Sequence, residues 1–535
     1  MRVRLNILLI TLLALLSCAK EGGGRVDYGP ETGNLCVRFD VSAMNPPILG
    51  VTKDNADEGH VLLEGSDGVM NIGRMWLVDK YDQVVAFRKT EDNNSNSRKQ
   101  TFTNIKRGEY TLYILLNSKE LDEFTEGKTI NEDFKQKCLT LLKPNSSSEA
   151  PEYFESPEYT VESGVPCSIV KDVAIAAGNN SVDVSLQRCV GRLTVVVLNN
   201  IHDCQLAIGG IGLSAVNPSM GYYFPQSDGS VPTYTDRAFH DLDYKNPVVL
   251  PPSKNKIIFD RYVYETKEIS EGLSFRLFGA VYKDGATVTP SSFNSYTFTG
   301  NQSLGKDKKY FLRSAASASR NYYIGVLNDG GLGCDEFLDD EELIRNPKIE
   351  NFLWTVEGTS DPRTLKNVGT EKCITLNSTG TQVDLGLGDS GTSFYFTGST
   401  TSGYLISSMK QQKGSWREGY YYDYGSGLAC DTESARGLVA IDSPDTKTNT
   451  SWILREATLD NSKTYPEYKN CVCEIPYRQH TINYIDDYGV SKLLTRIKRN
   501  EHVTVSINVS YDREYMQFGF EVKAWKPIDN TTTFD

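Results

Sequence analysis

Histidine is scarce in this chain, five in 535 residues, and methionine (seven) and tryptophan (five) are hardly commoner. So few imidazoles leave little material for metal ligation or acid–base chemistry. The eleven cysteines form no CxxC pair, and none stands at ligand spacing from a histidine. That argues against zinc; Cys471 and Cys473, two apart, would share one face of a strand and make a poor clip. A P-loop, a Rossmann glycine fingerprint and an HExxH motif are all missing. Positive charge is outnumbered, 56 Lys and Arg against 69 Asp and Glu for a net −13, which disfavours nucleic acid as a partner. No enzyme, cofactor or metal is expected. What the chain does have is 44 glycines, 20 prolines and 30 tyrosines, with 39% hydrophobic residues. That balance predicts turn-rich β-structure with real cores, and at about 150 residues per domain the length predicts three or four domains.

The front of the chain reads as an export signal. Arg2 and Arg4 precede an apolar run from Leu5 to Leu16 that is too short to span a bilayer. Residues 15–18 (Leu15, Leu16, Ser17, Cys18) resemble a bacterial lipobox, which implies removal of residues 1–17 and acylation of Cys18, palmitate included. Residues 18–33, with Gly22, Gly23 and Gly24, are then a flexible tether. Several acyl chains on one residue give lasting attachment. The expectation is a surface-exposed lipoprotein of the cell outer membrane. Most of the other ten cysteines are expected to be small buried apolar residues.

Further on, alternation dominates. Leu35, Val37, Phe39 and Val41 point one way along a half-buried strand. Residues 75–87 read as a hairpin turning at 79–83, and residues 108–117 as a strong strand. Residues 119–142 are the one helical expectation, with Phe134, Cys138 and Leu142 four apart. Near the end Val503, Val505, Ile507 and Val509 alternate, followed by Phe518, Phe520 and Val522, which predicts a closing hairpin. The fold class is therefore mostly β, as paired antiparallel sheets.

Residues 318–457 differ in texture, being rich in Gly, Ser and Thr and in short strands. Trp354, Phe394 and Trp452 each lead a strand, and short hairpins follow at intervals of 40–60 residues. The pattern resembles the β-trefoil of ricin-B-type lectins, with those three aromatics in the place of that family's recurring core ring. The family's Gln-x-Trp is absent. The alternative is a plain β insertion.

Four features together resemble the fimbrillin family, the pilin subunits and accessory proteins of Bacteroidales type V pili. They are the lipobox with the strand at 34–42, the strand at 108–117, the start of a second unit at 188–195, and the run 494–505 leading to 520–525. The resemblance implies two tandem transthyretin-like β-sandwiches, residues 34–187 and residues 188–317 plus 458–535, and the β-trefoil-like stretch is then an insert over 318–457. It also implies assembly by strand exchange, in which a protease removes the first strand and a neighbouring subunit fills the groove by β-strand addition. Carried to this chain, Leu35, Val37, Phe39 and Val41 belong to the strand removed. Lys53 is the sole basic residue between Ser42 and Gly73 and so the candidate processing site. The tail after Trp525 holds only Ile528 and Phe534 as large apolar groups, a poor donor. A subunit that accepts without donating belongs at a tip. The expected function is a minor or tip fimbrial adhesin with glycan as the expected ligand class; the alternatives are a pilus anchor or stalk subunit, or a free-standing glycan-binding lipoprotein of a polysaccharide-uptake system.

Three local patterns complete the reading. Trp416, Tyr421 and Asp423 lie in the densest aromatic cluster, and an aromatic face beside a carboxylate suits a sugar; the competing reading is a hairpin whose tyrosines pack on their own sheet. Residues 388–391 (Gly388, Asp389, Ser390, Gly391) copy a serine-protease tetrapeptide, but a surface turn is expected because no histidine stands in a fitting context. The acidic run 335–342 is expected to be a solvated helical face rather than a calcium loop, since it lacks alternating ligands and a central Gly.

Overall fold

Apolar alternation becomes buried alternation in the computed structural model of the chain. It describes residues 31–41, 72–90, 99–140, 164–214, 220–233, 240–306, 308–315, 321–379, 382–410, 412–416, 419–423, 425–431, 437–442, 448–485, 488–511 and 516–525. The first unit holds β1 (Thr32–Val41), β2 (Gly73–Val78), β3 (Val84–Thr90), β4 (Lys99–Lys106), β5 (Gly108–Leu116), β6 (Cys138–Thr140), β7 (Cys167–Ile175) and β8 (Gly178–Arg188). All but β6 form one sheet of order β3-β2-β5-β7-β8-β1-β4. β7 and β8 pair only where Cys167 and Ser168 meet Arg188 and Gln187. The sheet bends there, and its two halves enclose a core that includes Leu35, Val37, Met75, Leu112, Ile114 and Leu186. The hairpin expected at 75–87 is β2–β3, with Asp79 N–H donating to the Gln83 carbonyl across the turn.

The helix expected over 119–142 shrinks to α1 (Glu132–Lys135), capped by the Asn131 side chain. Leu121 and Gly127 both sit at positive φ, which no helix continues through, and Cys138 already belongs to β6. Phe134 is buried for a tertiary reason. It meets Trp76 edge-on at 5.1 Å and stacks on Phe224 at 5.3 Å, in the aromatic core joining the first unit to the second.

The second unit starts with β9 (Val190–Asn199), β10 (Cys204–Ser214), β11 (Met220–Tyr222), β12 (His240–Leu250), β13 (Asn255–Tyr264) and β14 (Ser274–Lys283). An inserted sheet follows: β15 (Ser291–Asn301), β16 (Lys309–Ser314), β17 (Asn321–Val326), β18 (Leu332–Phe337), β19 (Leu353–Glu357), β20 (Arg363–Asn367), β21 (Cys373–Thr379), β22 (Gln382–Gly388), β23 (Ser393–Ser399), β24 (Gly403–Ser407), β25 (Gln412–Trp416), β26 (Gly419–Asp423), β27 (Ser426–Cys430), β28 (Leu438–Asp442) and β29 (Ser451–Glu467). The second unit then resumes with β30 (Cys473–Thr481), β31 (Asn483–Ile485), β32 (Ser491–Leu493), β33 (His502–Tyr511) and β34 (Met516–Trp525). Its two sheets, β13-β9-β33-β34 and β12-β10-β14-β30, enclose Val195, Leu206, Phe275, Leu277, Val505 and Ile507.

In the insert, β16, β19, β20, β23, β24 and β29 pair in turn, and β29 pairs back onto β16, so the six form a closed ring. Closure removes exposed edges. Three hairpins, β17–β18, β21–β22 and β27–β28, alternate with the ring strands along the chain. Trp354 on β19, Phe394 on β23 and Trp452 on β29 are fully buried in one shared core. Trp354 Nε1 donates to the Ile324 carbonyl at 2.8 Å, and Trp452 Nε1 to the Leu428 carbonyl at 2.9 Å, the corresponding sites in the first and third hairpins. The hydrogen-bonded sheet is wider than the 318–457 stretch marked by composition. β15 runs beside β29 from Ser291 opposite Glu467 to Asn301 opposite Arg455, so β15 and β16 lie within it. Strand pairing, not Gly and Ser content, sets that boundary.

Candidate functional site: the slot of the first strand

β1 lies inside its sheet. Gly33 to Val41 run parallel to Gly178–Leu186 of β8, while Thr32 to Arg38 run antiparallel to Lys106–Lys99 of β4. Both backbone edges are therefore engaged. Its alternate side chains point into the core: Leu35 is 1%, Val37 0% and Phe39 7% exposed, and Val41 is half-buried. Among the described residues, β4 has no ladder partner other than β1. Without β1, the facing edges of β8 and β4 would flank a groove with apolar pockets at every second position.

The N-terminal end of β1 is pinned by side chains. Asn34 Nδ2 donates to Asn179 Oδ1 at 3.1 Å, Asn180 Nδ2 donates to the Asn34 carbonyl at 3.2 Å, and Asn104 N–H donates to Asn34 Oδ1 at 3.2 Å. A Cβ on Gly33 would fall 2.1 Å from the Ala176 carbonyl oxygen. Gly33→Ala is therefore expected to push β1 out of register at this end and cost roughly 1–3 kcal/mol, read as a lowered urea midpoint. The Arg38–Asp183 ion pair, at 3.7 Å with both side chains exposed, contributes little.

The other expected site residues are dispersed. Cys18, Lys53 and the tail beyond Trp525 lie outside the described residues. At the sheet edge, β34 carries Met516, Phe518, Phe520 and Val522 at alternate positions, partly buried against the second core. The segment of Trp416, Tyr421 and Asp423 forms a separate two-stranded ribbon, β25–β26, between β24 and β27 in the chain. Gly419 opposes Trp416, Gly414 opposes Tyr421 and Gln412 opposes Asp423, so positions 416, 421 and 423 share one face of that ribbon.

The acidic run departs from its expected solvated face. Only α2 (Asp340–Ile344) is helical, and the run is a clasp between insert and sandwich. Asp339 caps α2, accepting from Glu342 N–H at 2.9 Å, and pairs with the buried Arg276 of β14. Asp340 pairs with Arg455 of β29, and Glu341 with Arg345 at 3.0 Å. Arg345 in turn lies over Tyr465 (4.4 Å) and Tyr477 (4.9 Å). Burial raises the Glu342 carboxyl above its usual range. A cleft of about 520 Å³ opens beside this clasp, lined among others by Phe278, Glu342, Arg345, Tyr465, Tyr477 and His480. Ser390 follows β22 in an exposed turn, and the described His202, His240, His480 and His502 all belong to the second unit. Among the described residues no three His, Cys, Asp or Glu side chains are grouped to hold a metal, and no helix is long and apolar enough to cross a membrane.

One polar cluster escaped the sequence reading. Arg192 grips Asp260 through Nε at 2.8 Å and Nη2 at 2.6 Å. Thr194 Oγ1 donates to Asp260 Oδ1 at 2.9 Å, and His502 Nε2 lies 2.8 Å from Thr194 Oγ1. Since the threonine proton goes to Asp260, the neutral imidazole carries its proton on Nε2 and donates to Thr194. Arg192, Thr194, His502, Thr504 and Ser506 are the polar half of two alternating strands, which normally means a solvated face. Here Thr194, His502, Thr504 and Ser506 are all buried.

Burial, then the Arg192 charge, lowers the His502 pKa to about 3, and burial lowers that of His480 to about 4. Both values lie below the unfolded value of about 6.5, so the unfolded chain takes up these protons first. Stability is expected to fall as pH drops below about 6.5, by about 2 kcal/mol at pH 5 from His502. Urea unfolding of the wild type and His502→Asn across pH 7 to 4.5 checks this, the variant losing that component of the slope.

Solved structures similar to this chain include fimbrial proteins and proteins described as cell adhesion proteins. They include the tip fimbrial protein Mfa3 from Porphyromonas gingivalis with a C-terminal truncation, at 10% identity and TM-score 0.32 over 92% of this chain and 100% of that one. A fimbrilin from the same organism gives 13% identity and TM-score 0.29 over 48% and 74%. A fimbrial assembly protein from Parabacteroides distasonis gives 10% identity and TM-score 0.27 over 57% and 99%. No family model matches the chain, and no curated protein matches it in sequence.

Proposed function

We propose that the chain is a subunit of a type V fimbria at the bacterial surface, of minor or tip type, that receives a neighbour's strand in the slot now held by β1. The observation that carries this reading is the position of β1: interior, paired on both edges, with Leu35, Val37 and Phe39 buried. In sequence it is joined to the rest of its sheet only through residues 42–71, which contain Lys53. A cut there would free the strand, and β-augmentation would refill the slot. Before processing, acylated Cys18 would hold the precursor at the outer membrane. N-terminal sequencing of protein from intact cells tests the proposal. A start just after Lys53 together with recovery in sheared fimbriae supports it, and a start at Cys18 in every form rejects it in favour of a lipid-held anchor.

The closed ring with its three hairpins supports reading the insert as a β-trefoil-like module, and the β25–β26 ribbon as its glycan-contacting hairpin through Trp416, Tyr421 and Asp423. Binding of the full chain to a glycan array, lost on Trp416→Ala with Tyr421→Ala, tests that part; equal binding by the variant rejects this site. A free-standing glycan-binding lipoprotein would bind in the same way without co-purifying with a fimbrial shaft. A second reading, a stalk subunit that also donates, is favoured by the alternate apolar residues of edge strand β34.

A further inference from the structure

We infer that the cleft between the inserted sheet and the second sandwich is a binding site for a neutral saccharide, separate from the β25–β26 ribbon. Its volume of about 520 Å³ is that of a small-molecule site. A second depression of about 660 Å³ adjoins it and shares Asn328, Lys348, Glu474 and Pro476, so the trough has room for more than one sugar ring. Nothing in this assignment depends on a fimbrial role.

The decisive feature is a buried carboxyl that is only half partnered. Glu342 lines the cleft and is 6% exposed. Its Oε2 accepts from Leu338 N–H at 2.8 Å, whereas Oε1 faces Arg478 Nε at 3.7 Å, beyond hydrogen-bond distance. Asp335 holds Arg478 no more closely, at 3.9 Å. A single hydroxyl seated between the two can donate to Glu342 Oε1 and accept from Arg478, each at ordinary length. Burial outweighs every favourable partner that Glu342 now has and raises its carboxyl pKa, so a further donor would answer a real deficit. Water alone would satisfy that gap; the walls around it suit a larger ligand.

His480 and Phe518, both half-buried, lie with ring centroids 4.4 Å apart and give the cleft an aromatic wall. With its pKa lowered to about 4, the imidazole is uncharged at neutral pH, and both rings suit the C–H face of a pyranose. Arg345, fixed over Tyr465 and Tyr477, keeps the cleft open in advance of any ligand. The charged lining balances: Arg345, Lys348 and Arg478 stand against Asp335, Glu342 and Glu474. Donors and acceptors without net charge fit hydroxyls, which do both, better than an anion. The cleft also runs along β30, which pairs only with β14 among the described residues. An added peptide strand would need the free edge of β30, but Pro476 breaks its row of N–H donors. Recognition there falls to side chains.

The test is saturation-transfer NMR of the full chain, titrated to millimolar concentration with methyl glucoside, methyl galactoside, methyl mannoside and N-acetylglucosamine. N-acetylneuraminic acid and a tetra-alanine peptide run beside them. The expected result is transfer to at least one neutral sugar, with affinity about tenfold weaker in Arg478→Met and in Glu342→Gln. The glutamine still accepts from Leu338 N–H, and Arg478 is 55% exposed, so its replacement leaves the fold intact should the other variant not fold. Transfer to no neutral sugar, transfer to the acidic sugar or the peptide alone, or undiminished affinity in Arg478→Met overturns the inference. Loss confined to Trp416→Ala with Tyr421→Ala also overturns it, by placing the sugar on the ribbon.

Discussion

A chain lacking residues 32–41 will capture a synthetic peptide of that sequence, and the same peptide carrying Val37→Asp will bind at least 100-fold more weakly. The native strand offers both backbone edges to a neighbour and buries Leu35, Val37 and Phe39. Each such side chain is worth about 1.5–3 kcal/mol when removed from water. An aspartate in the fully buried Val37 pocket has no charged partner prepared for it, and the slot must hold a desolvated carboxylate or protonate it. Fluorescence anisotropy with labelled peptide gives the ratio, and equal affinities would mean that the groove is not the recognition element. Should the shortened chain not fold, Val37→Asp in the full-length protein should cost roughly 3–5 kcal/mol by urea unfolding.

The second large effect is expected at Asp260. Its carboxylate is 1% exposed, holds the Arg192 guanidinium by two hydrogen bonds and accepts from Thr194. Asp260→Ala leaves a largely buried cation uncompensated and should destabilise the second unit by about 3–5 kcal/mol. The paired replacement Arg192→Met with Asp260→Leu should recover most of that loss, because the charge and its partner leave together. A double variant no more stable than Asp260→Ala would place the cost in packing instead of charge. The two units share an aromatic core through Trp76, Phe134 and Phe224. Unfolding should therefore be followed by tryptophan fluorescence and circular dichroism together, to show whether the loss stays within the second sandwich.

Much of this architecture was legible in order along the chain. Leu35, Val37 and Phe39 face one core as their alternation predicts, and residues 75–87 form the expected hairpin. Trp354, Phe394 and Trp452, picked out by spacing alone, share a single core. The helical reading of 119–142 failed because a four-residue recurrence of Phe134 and Cys138 served two different neighbours, an aromatic core and a strand pair. The acidic run looked solvated because charge is normally so. Its partners, Arg276 on β14 and Arg455 on β29, are far away in sequence.

Period-two alternation, glycine punctuation and aromatic spacing determined by themselves that the chain is built of strands and which face of each is apolar, since those are properties of neighbouring residues along the backbone. The tertiary structure alone decided that β1 runs parallel to β8 in the sheet interior, that β29 closes a ring on β16, and that the polar row of Thr194 and His502 is buried. Those outcomes depend on which distant edges meet. Backbone donors and acceptors are the same on every strand, so pairing partners are chosen by packing across the whole core and leave no local mark.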